Sequence, residues 1–248
     1  MKKKHIPYYL LALLCVLVSC SSDNDAGTST LDPKPTQYTV TDLTQDPWIV
    51  NFEYTGNLIS RITLEDGTIT YNYEAGRLIS FERVRFGWPS QISRLTYEDD
   101  RLTELKVYLE WDLENHIEST RYFYNSSGQI NKTIGDDGSG FIFTTFYFYD
   151  SSGNVIQSEF NGSKTRYLYD TKNSAFRNVF PQLDSGVTWE WLGSQVNNQI
   201  EIQRRSSTDT DFTTRFYYEY DYNENNYPIQ RRQVALDGTV WVTVDYLY

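Results

Sequence analysis

Histidine, cysteine and methionine are almost missing from this chain of 248 residues: it holds 2 His, 2 Cys and 1 Met. His5 lies in a basic and apolar leader, and His116 stands alone in Leu113-Glu-Asn-His-Ile117. With a single histidine and no free thiol beyond the leader, Ser-His and Cys-His nucleophilic sites have no base or nucleophile to work with. Zinc centres of the common kinds lack ligands for the same reason. No Gly-rich phosphate loop occurs. The sequence therefore calls for no cofactor and no metal, and it predicts a protein that is not an enzyme.

Helical periodicity is also nearly absent after the first twenty residues. Positive charge is scarce as well. The full chain carries 22 Lys and Arg against 33 Asp and Glu. Without the leader there are 19 against 33, a formal charge of −14. Such a surface repels phosphate backbones, so nucleic acid is not an expected partner.

Aromatic residues are what the chain has in excess: 21 Tyr, 13 Phe and 6 Trp. They recur in a unit of two aromatics flanking one residue, a short turn, a Gly or its stand-in, and an aliphatic residue two places on. Tyr147-Phe-Tyr149-Asp-Ser-Ser-Gly153-Asn-Val155 is the clearest copy, and Tyr122-Phe-Tyr124-Asn-Ser-Ser-Gly128-Gln-Ile130 is its near twin. Taking the second aromatic as a marker, copies end at Tyr54, Tyr73, Tyr97, Tyr124, Tyr149, Tyr169 and Tyr220. A degenerate copy ends at Trp191 and a half copy at Tyr246. A repeat of about 24 residues accommodates two strands and two tight turns. Asp150 and Asn125 open turns in which a side-chain oxygen accepts from backbone N–H groups and Gly supplies positive φ. Asp66-Gly67 and Asp237-Gly238 are expected as two-residue hairpins.

The expectation is an all-β fold: an antiparallel meander of about 16–18 strands in one large curled or barrel-like sheet. An open sheet of that size rolls up to hide its edges. Strand alternation supports this, with Phe212, Thr214, Phe216, Tyr218, Tyr220 and Tyr222 on one face. Leu105, Val107, Leu109 and Trp111 make another one-sided strand. Phe141 to Tyr149 is apolar on both faces and is expected to be covered on both sides.

The Y-x-Y-D-x-x-G-x-[LIV] unit resembles the tyrosine–aspartate (YD) repeats of Rhs-type proteins, fully at Tyr147 to Val155 and in part at Tyr167-Leu-Tyr169-Asp170. The whole chain also resembles small Gram-negative surface lipoproteins with a porin-like β fold. These resemblances imply a β-hairpin array and name no ligand.

Three segments follow. Residues 1–19 have the Lys2-Lys3-Lys4 and apolar Ile6–Val18 pattern of a secretory signal, too short to span a bilayer as a helix. Leu17-Val-Ser-Cys20 resembles a lipobox, which makes Cys20 the lipid-attachment site and the membrane a partner. Residues 20–36 read as an acylated tether, and its acidic Ser21–Asp25 start resembles surface-export tracts. Residues 37–248 form a single β domain. The location expected is the outer membrane, on the cell surface, with the periplasmic face as the alternative.

The function expected is a non-catalytic binding or scaffold role towards a glycan or protein. Trp88, in the turn-like Phe86-Gly-Trp-Pro89, and Trp111, Trp189 and Trp191, where the repeat degenerates, are the candidate ligand contacts. Two alternatives are a membrane-inserted, porin-like barrel and a glycan hydrolase. Val240, Val242, Val244, Tyr246 and Tyr248 alternate as barrel strands do. Against insertion, Arg204 interrupts one face of the strand at 198–205 and the other face is wholly polar. The hydrolase would use Glu110, Asp112 and Glu114 on one strand face. Asp221-Tyr-Asn-Glu-Asn-Asn226 starts like a calcium loop but has Arg232 where the last ligand belongs, so an Asn-rich hairpin loop is expected.

Overall fold

The computed structural model describes residues 33–179 and 196–248. The signal, most of the tether including Cys20, and Trp189 and Trp191 lie outside them. Sixteen strands occur among the described residues, each paired antiparallel with its chain neighbours: β1 (Gln37–Asp42), β2 (Trp48–Thr55), β3 (Leu58–Leu64), β4 (Gly67–Glu74), β5 (Arg77–Arg85), β6 (Gln91–Glu98), β7 (Arg101–Leu109) and β8 (Asp112–Tyr124), then β9 (Ile130–Asp136), β10 (Ile142–Tyr149), β11 (Val155–Phe160), β12 (Ser163–Asn173), β13 (Asn197–Arg205), β14 (Thr213–Tyr222), β15 (Pro228–Val234) and β16 (Val240–Leu247). β1 pairs with β16, Tyr38 opposite Tyr246 and Val40 opposite Val244, so the meander closes into a barrel without edges. Pro35 and Thr36 already belong to this wall: Pro35 is fully buried, and the Thr36 N–H donates to Leu247 O at 2.7 Å.

Register sorts the side chains into an inner and an outer face, because residues directly opposite in a ladder point the same way. Phe52, Ile62 and Ile69 lie in one row and are buried. One residue along, Glu53, Arg61, Thr70 and Glu82 form the row on the other face. The pattern repeats around the barrel. Leu95 and Leu105 face inward while Arg94 and Lys106 face out. Val40, Val244 and Tyr220 face inward while Glu219 and Arg232 face out. The inside is mostly apolar and aromatic, with Arg83 and Arg231 as inward exceptions, and the outside is mostly charged and polar, with Phe146 and Phe148 as outward exceptions.

The buried cluster draws on β1 to β9, β16 and the segment 174–179 after β12. Phe176 of that segment packs against Tyr38, Phe52 and Tyr246 on β1, β2 and β16, at centroid distances of 5.7–6.3 Å. No fully buried member of the cluster comes from β10 to β15, whose inner residues are mostly half-buried. The inside is thus packed on one side of the barrel and looser on the other.

The repeat has a concrete structural meaning. Four marker tyrosines donate their phenol O–H to the carbonyl of the aliphatic residue in the preceding copy: Tyr97 to Leu78 (2.8 Å), Tyr124 to Leu102 (2.8 Å), Tyr149 to Ile130 (2.7 Å) and Tyr169 to Val155 (2.7 Å). Tyr54 begins the series on Pro35 O and Tyr248 ends it on Pro228 O. The register shifts by one residue just before Tyr54, Tyr73, Tyr97, Tyr124, Tyr149 and Tyr169, so each marker sits at a β-bulge. The bulge turns the ring along the inner wall towards the next hairpin. Basic residues cap several rings: Lys34 over Tyr54, Arg77 over Tyr97 and Arg101 over Tyr124. Burial holds the phenols of Tyr54 and Tyr169 well above the ordinary tyrosine range, and that of Tyr73 at about 12.

Several expectations need correction. The marker Tyr220 makes its ladder bond, donating to Gln199 O at 2.8 Å, but the bulge of that copy falls two residues on, between Asp221 and Tyr222. In the last half copy it is Tyr248, two residues beyond Tyr246, that makes the ladder bond. Doubled alternation in Tyr-Tyr-Glu-Tyr-Asp-Tyr hides the frame. The Phe141–Tyr149 stretch is covered on one side only: Phe141, Ile142, Phe146 and Phe148 are exposed. Trp111 is not on a strand face but in the turn between β7 and β8.

Candidate functional site

An up-and-down barrel has two ends, and here they differ in chemistry. At the end where β1 begins and β16 finishes, the described connections are polar turns. Asn125 Oδ1 accepts from the N–H groups of Ser127 and Gln129 at 3.0 Å, and Asp150 Oδ1 from Ser152 and Asn154 at 2.8 and 2.9 Å. Asn223 does the same for Asn225 and Tyr227, with Asn226 at φ 61°. The calcium-like stretch is therefore a third copy of the same turn. Its Asp221 faces outward and pairs with Arg232 at 2.8 Å. Among the described connections at this end, none carries an exposed large apolar side chain.

At the far end eight hairpins turn, and six present apolar side chains to solvent. They are Leu43 after β1, Phe86 and Trp88 after β5, Trp111 after β7, Phe141 after β9, Phe160 at the tip of β11, and Leu236 with Trp241 at the last hairpin. Trp88 is 71% exposed and Trp111 68%, so neither is core. Gly87, at φ 75°, makes the turn that lifts Trp88. Asp112 shapes the other tip, accepting from the N–H groups of Glu114 and Asn115 at 3.2 and 3.0 Å. Those bonds hold its carboxyl below the ordinary aspartate range. Its role in the turn breaks the expected face of Glu110, Asp112 and Glu114. His116 lies on β8 with its ring 6.3 Å from that of Tyr108.

Phe141, Phe143 and Phe160 form a chain of contacts at 6.2 and 5.8 Å, and Phe216 meets Trp241 at 5.9 Å. Behind this rim, the looser inner wall carries Arg204 and Arg231. Arg231 lies in one row with Tyr220 and Val244, and its guanidinium stands 5.3 Å from the centre of the Tyr218 ring.

Sequence reading singled out Trp88 and Trp111, and the fold brings both to one end of the barrel. Phe86, Phe141, Phe160 and Leu236 were missed, and Trp241 carries no repeat-breaking signal of its own. Their shared signal is position: each lies at the connection opposite the Asp/Asn-x-x-Gly turn, once per repeat. No cluster of His, Cys, Asp and Glu fit to hold a metal occurs among the described residues, and no helix among them is long and apolar enough to cross a membrane.

No protein-family model and no curated protein matches the chain. Solved structures do. A porin-like protein from Bacteroides uniformis ATCC 8492 is 13% identical, with 87% of this chain and 98% of that one covered at a TM-score of 0.54. A porin-like protein from Bacteroides vulgatus ATCC 8482 is 12% identical, with 88% and 99% covered at 0.46. The Photorhabdus luminescens Tc holotoxin pore is 13% identical and covers 79% of this chain and 12% of its own at 0.32, too low to carry the YD-repeat relationship. At these identities the likeness is one of fold: this chain has the sixteen-stranded antiparallel barrel of a porin-like protein.

Proposed function

We propose that the protein is a lipid-tethered, water-facing barrel that binds a carbohydrate at its aromatic rim and performs no chemistry on it. The observation that carries this reading is the exposure of Trp88 and Trp111, with Phe86 and Phe141, on hairpins at the end remote from where the chain enters the barrel. Exposed apolar area concentrated at one place marks a contact surface. Flat indole faces suit the apolar C–H faces of sugar rings, and the acidic loops around them offer acceptors for hydroxyls. A lipid on Cys20 would hold the protein at the outer membrane. The YD-like repeat belongs to this reading as scaffold, its tyrosines being used in the ladder.

Binding of soluble oligosaccharides, measured by calorimetry across neutral and acidic glycans, tests the proposal. The double variant Trp88→Ala with Trp111→Ala is expected to lose at least tenfold in affinity while its melting temperature stays within a few degrees of the parent. Unchanged affinity in that variant, or no bound glycan in the panel, overturns it.

The second reading, a membrane-inserted barrel, is favoured by the porin-like fold. It requires an outer wall compatible with lipid.

A further inference from the structure

The looser side of the barrel interior contains a feature that neither the tyrosine ladder nor the rim uses. Arg231 is on β15, in an inner row with Tyr220 on β14, Val244 on β16 and Val40 on β1. Its Nε is closed off from solvent and has no hydrogen-bond partner. The ionisable groups acting on it are all tyrosines: Tyr246, Tyr220, Tyr218 and Tyr38. Among the described residues, the ion pairs are made by Arg77, Arg85, Lys106, Lys164 and Arg232 on their neighbouring carboxylates; Arg231 is in none of them. Arg204, on β13, acts on the same Tyr218 and likewise makes no ion pair there.

This arrangement runs against the rest of the molecule. Acidic residues exceed basic ones by eleven in the chain. A position needing only inward bulk takes Val, Ile or Tyr elsewhere on the wall. A guanidinium partly drawn out of water without a carboxylate is unfavourable unless something compensates it. The face of Tyr218 offers partial compensation only. Guanidinium presents a planar fork of N–H donors that matches an oxyanion, and phenol hydroxyls nearby can add donors of their own.

We propose that Arg231, with Arg204 and the hydroxyl of Tyr218, forms an internal binding site for a small carboxylate-bearing molecule, walled on one side by Tyr220, whose own hydroxyl is donated to Gln199 O. Arg231 supplies the main charge, and one buried guanidinium balances one negative charge, which favours a monocarboxylate over a phosphate dianion. Arg204 is exposed and lies near the rim end of β13, where it attracts the anion towards the interior. The site is separate from the rim tryptophans and stands whether or not the rim binds glycans.

Acetate and D-glucuronate are the probes, titrated against the full chain in a nonionic polyoxyethylene detergent. D-glucose and matched sodium chloride serve as controls. The readouts are the melting temperature and the ultraviolet difference signal of the tyrosines. Both carboxylates are expected to give saturable tyrosine signals and raised melting temperatures, and the controls neither. Arg231→Met is expected to weaken carboxylate binding at least tenfold and to melt no lower than the parent without ligand, since it removes an uncompensated charge and keeps the length. Arg204→Met is expected to weaken binding about threefold. Trp88→Ala is expected to leave it unchanged, which separates this site from the rim. If the carboxylates do no more than chloride, or Arg231→Met binds them as the parent does, the site does not exist. Should Arg231→Met fail to fold, the parent titration and the Arg204→Met shift decide the matter by the same criteria.

Discussion

At the scale of the residue, the second aromatic of each repeat is a tether between hairpins rather than a surface group. Tyr124 shows the logic: its ring lies on the inner wall at a bulge, its hydroxyl donates to Leu102 O, and Arg101 covers its face. Replacing the hydroxyl with hydrogen leaves the ring in place but orphans a carbonyl. Tyr124→Phe should therefore destabilise the barrel by about 0.5–1.5 kcal/mol, the net value of one such bond. Tyr217→Phe is the internal control, since Tyr217 is exposed on the outer wall and is expected to change stability by less than about 0.5 kcal/mol. Urea unfolding of the two variants side by side measures the difference. Equal effects would mean that the ladder bonds add nothing.

The elements differ in how far they could be read from sequence. The all-β class, the single large curled sheet and the Asx turns at Asn125 and Asp150 were legible, because local turn chemistry and period-2 alternation dictate them, whereas full closure of β1 on β16 was not. The bulges were not, since a one-residue slip leaves no mark in composition. The doubled aromatic alternation near the C-terminus hides that the bulge of the Tyr220 copy lies at Tyr222 and that Tyr248, not Tyr246, makes the last ladder bond. The half-open outer side of β10 was illegible too: Phe146 and Phe148 look like core by hydropathy, and only register puts them outward beside Lys132, Glu159 and Gln157. For the site, Trp88 and Trp111 were legible as breaks in the pattern, whereas Arg231 reads as one more basic residue in Gln-Arg-Arg-Gln.

β9 carries a further instance. Gly135 is opposite Phe143, whose ring occupies the place a Cβ would take, its nearest atom 2.1 Å from that position. The ring is a side chain and can move, but moving it disturbs the contacts with Phe141 and Phe160. Gly135→Val is expected to destabilise by about 1–3 kcal/mol through overpacking. The same denaturant measurement checks it, and an unchanged midpoint would show that Phe143 swings out without loss.

At the scale of the whole molecule, the barrel has the strand number and closure of a porin-like protein, while several of its outward rows are charged. A membrane-spanning barrel keeps an outward apolar band about 25 Å tall, and Arg or Lys at its midplane costs about 2–4 kcal/mol. Here the outward rows hold Glu53 with Arg61 and Glu82, Arg94 with Lys106, Glu104 with Arg121, and Glu219 with Arg232. These rows lie along the middle of the strands, where no snorkelling to either interface relieves them. Inside, Ile59, Ile62, Ile69, Leu78 and Ile130 are fully buried where a porin has water. The outer wall thus argues for water on the outside and a packed interior on the β1–β9 side. The expected outcome is that the chain from residue 33 onward, without the signal and Cys20, is monodisperse in detergent-free buffer on gel filtration and keeps its β-sheet circular dichroism. It should also leave lipid vesicles impermeable to small dyes. Aggregation relieved only by detergent, or dye leakage at stoichiometric protein, would place the charged rows in the bilayer and make the membrane-inserted reading the correct one.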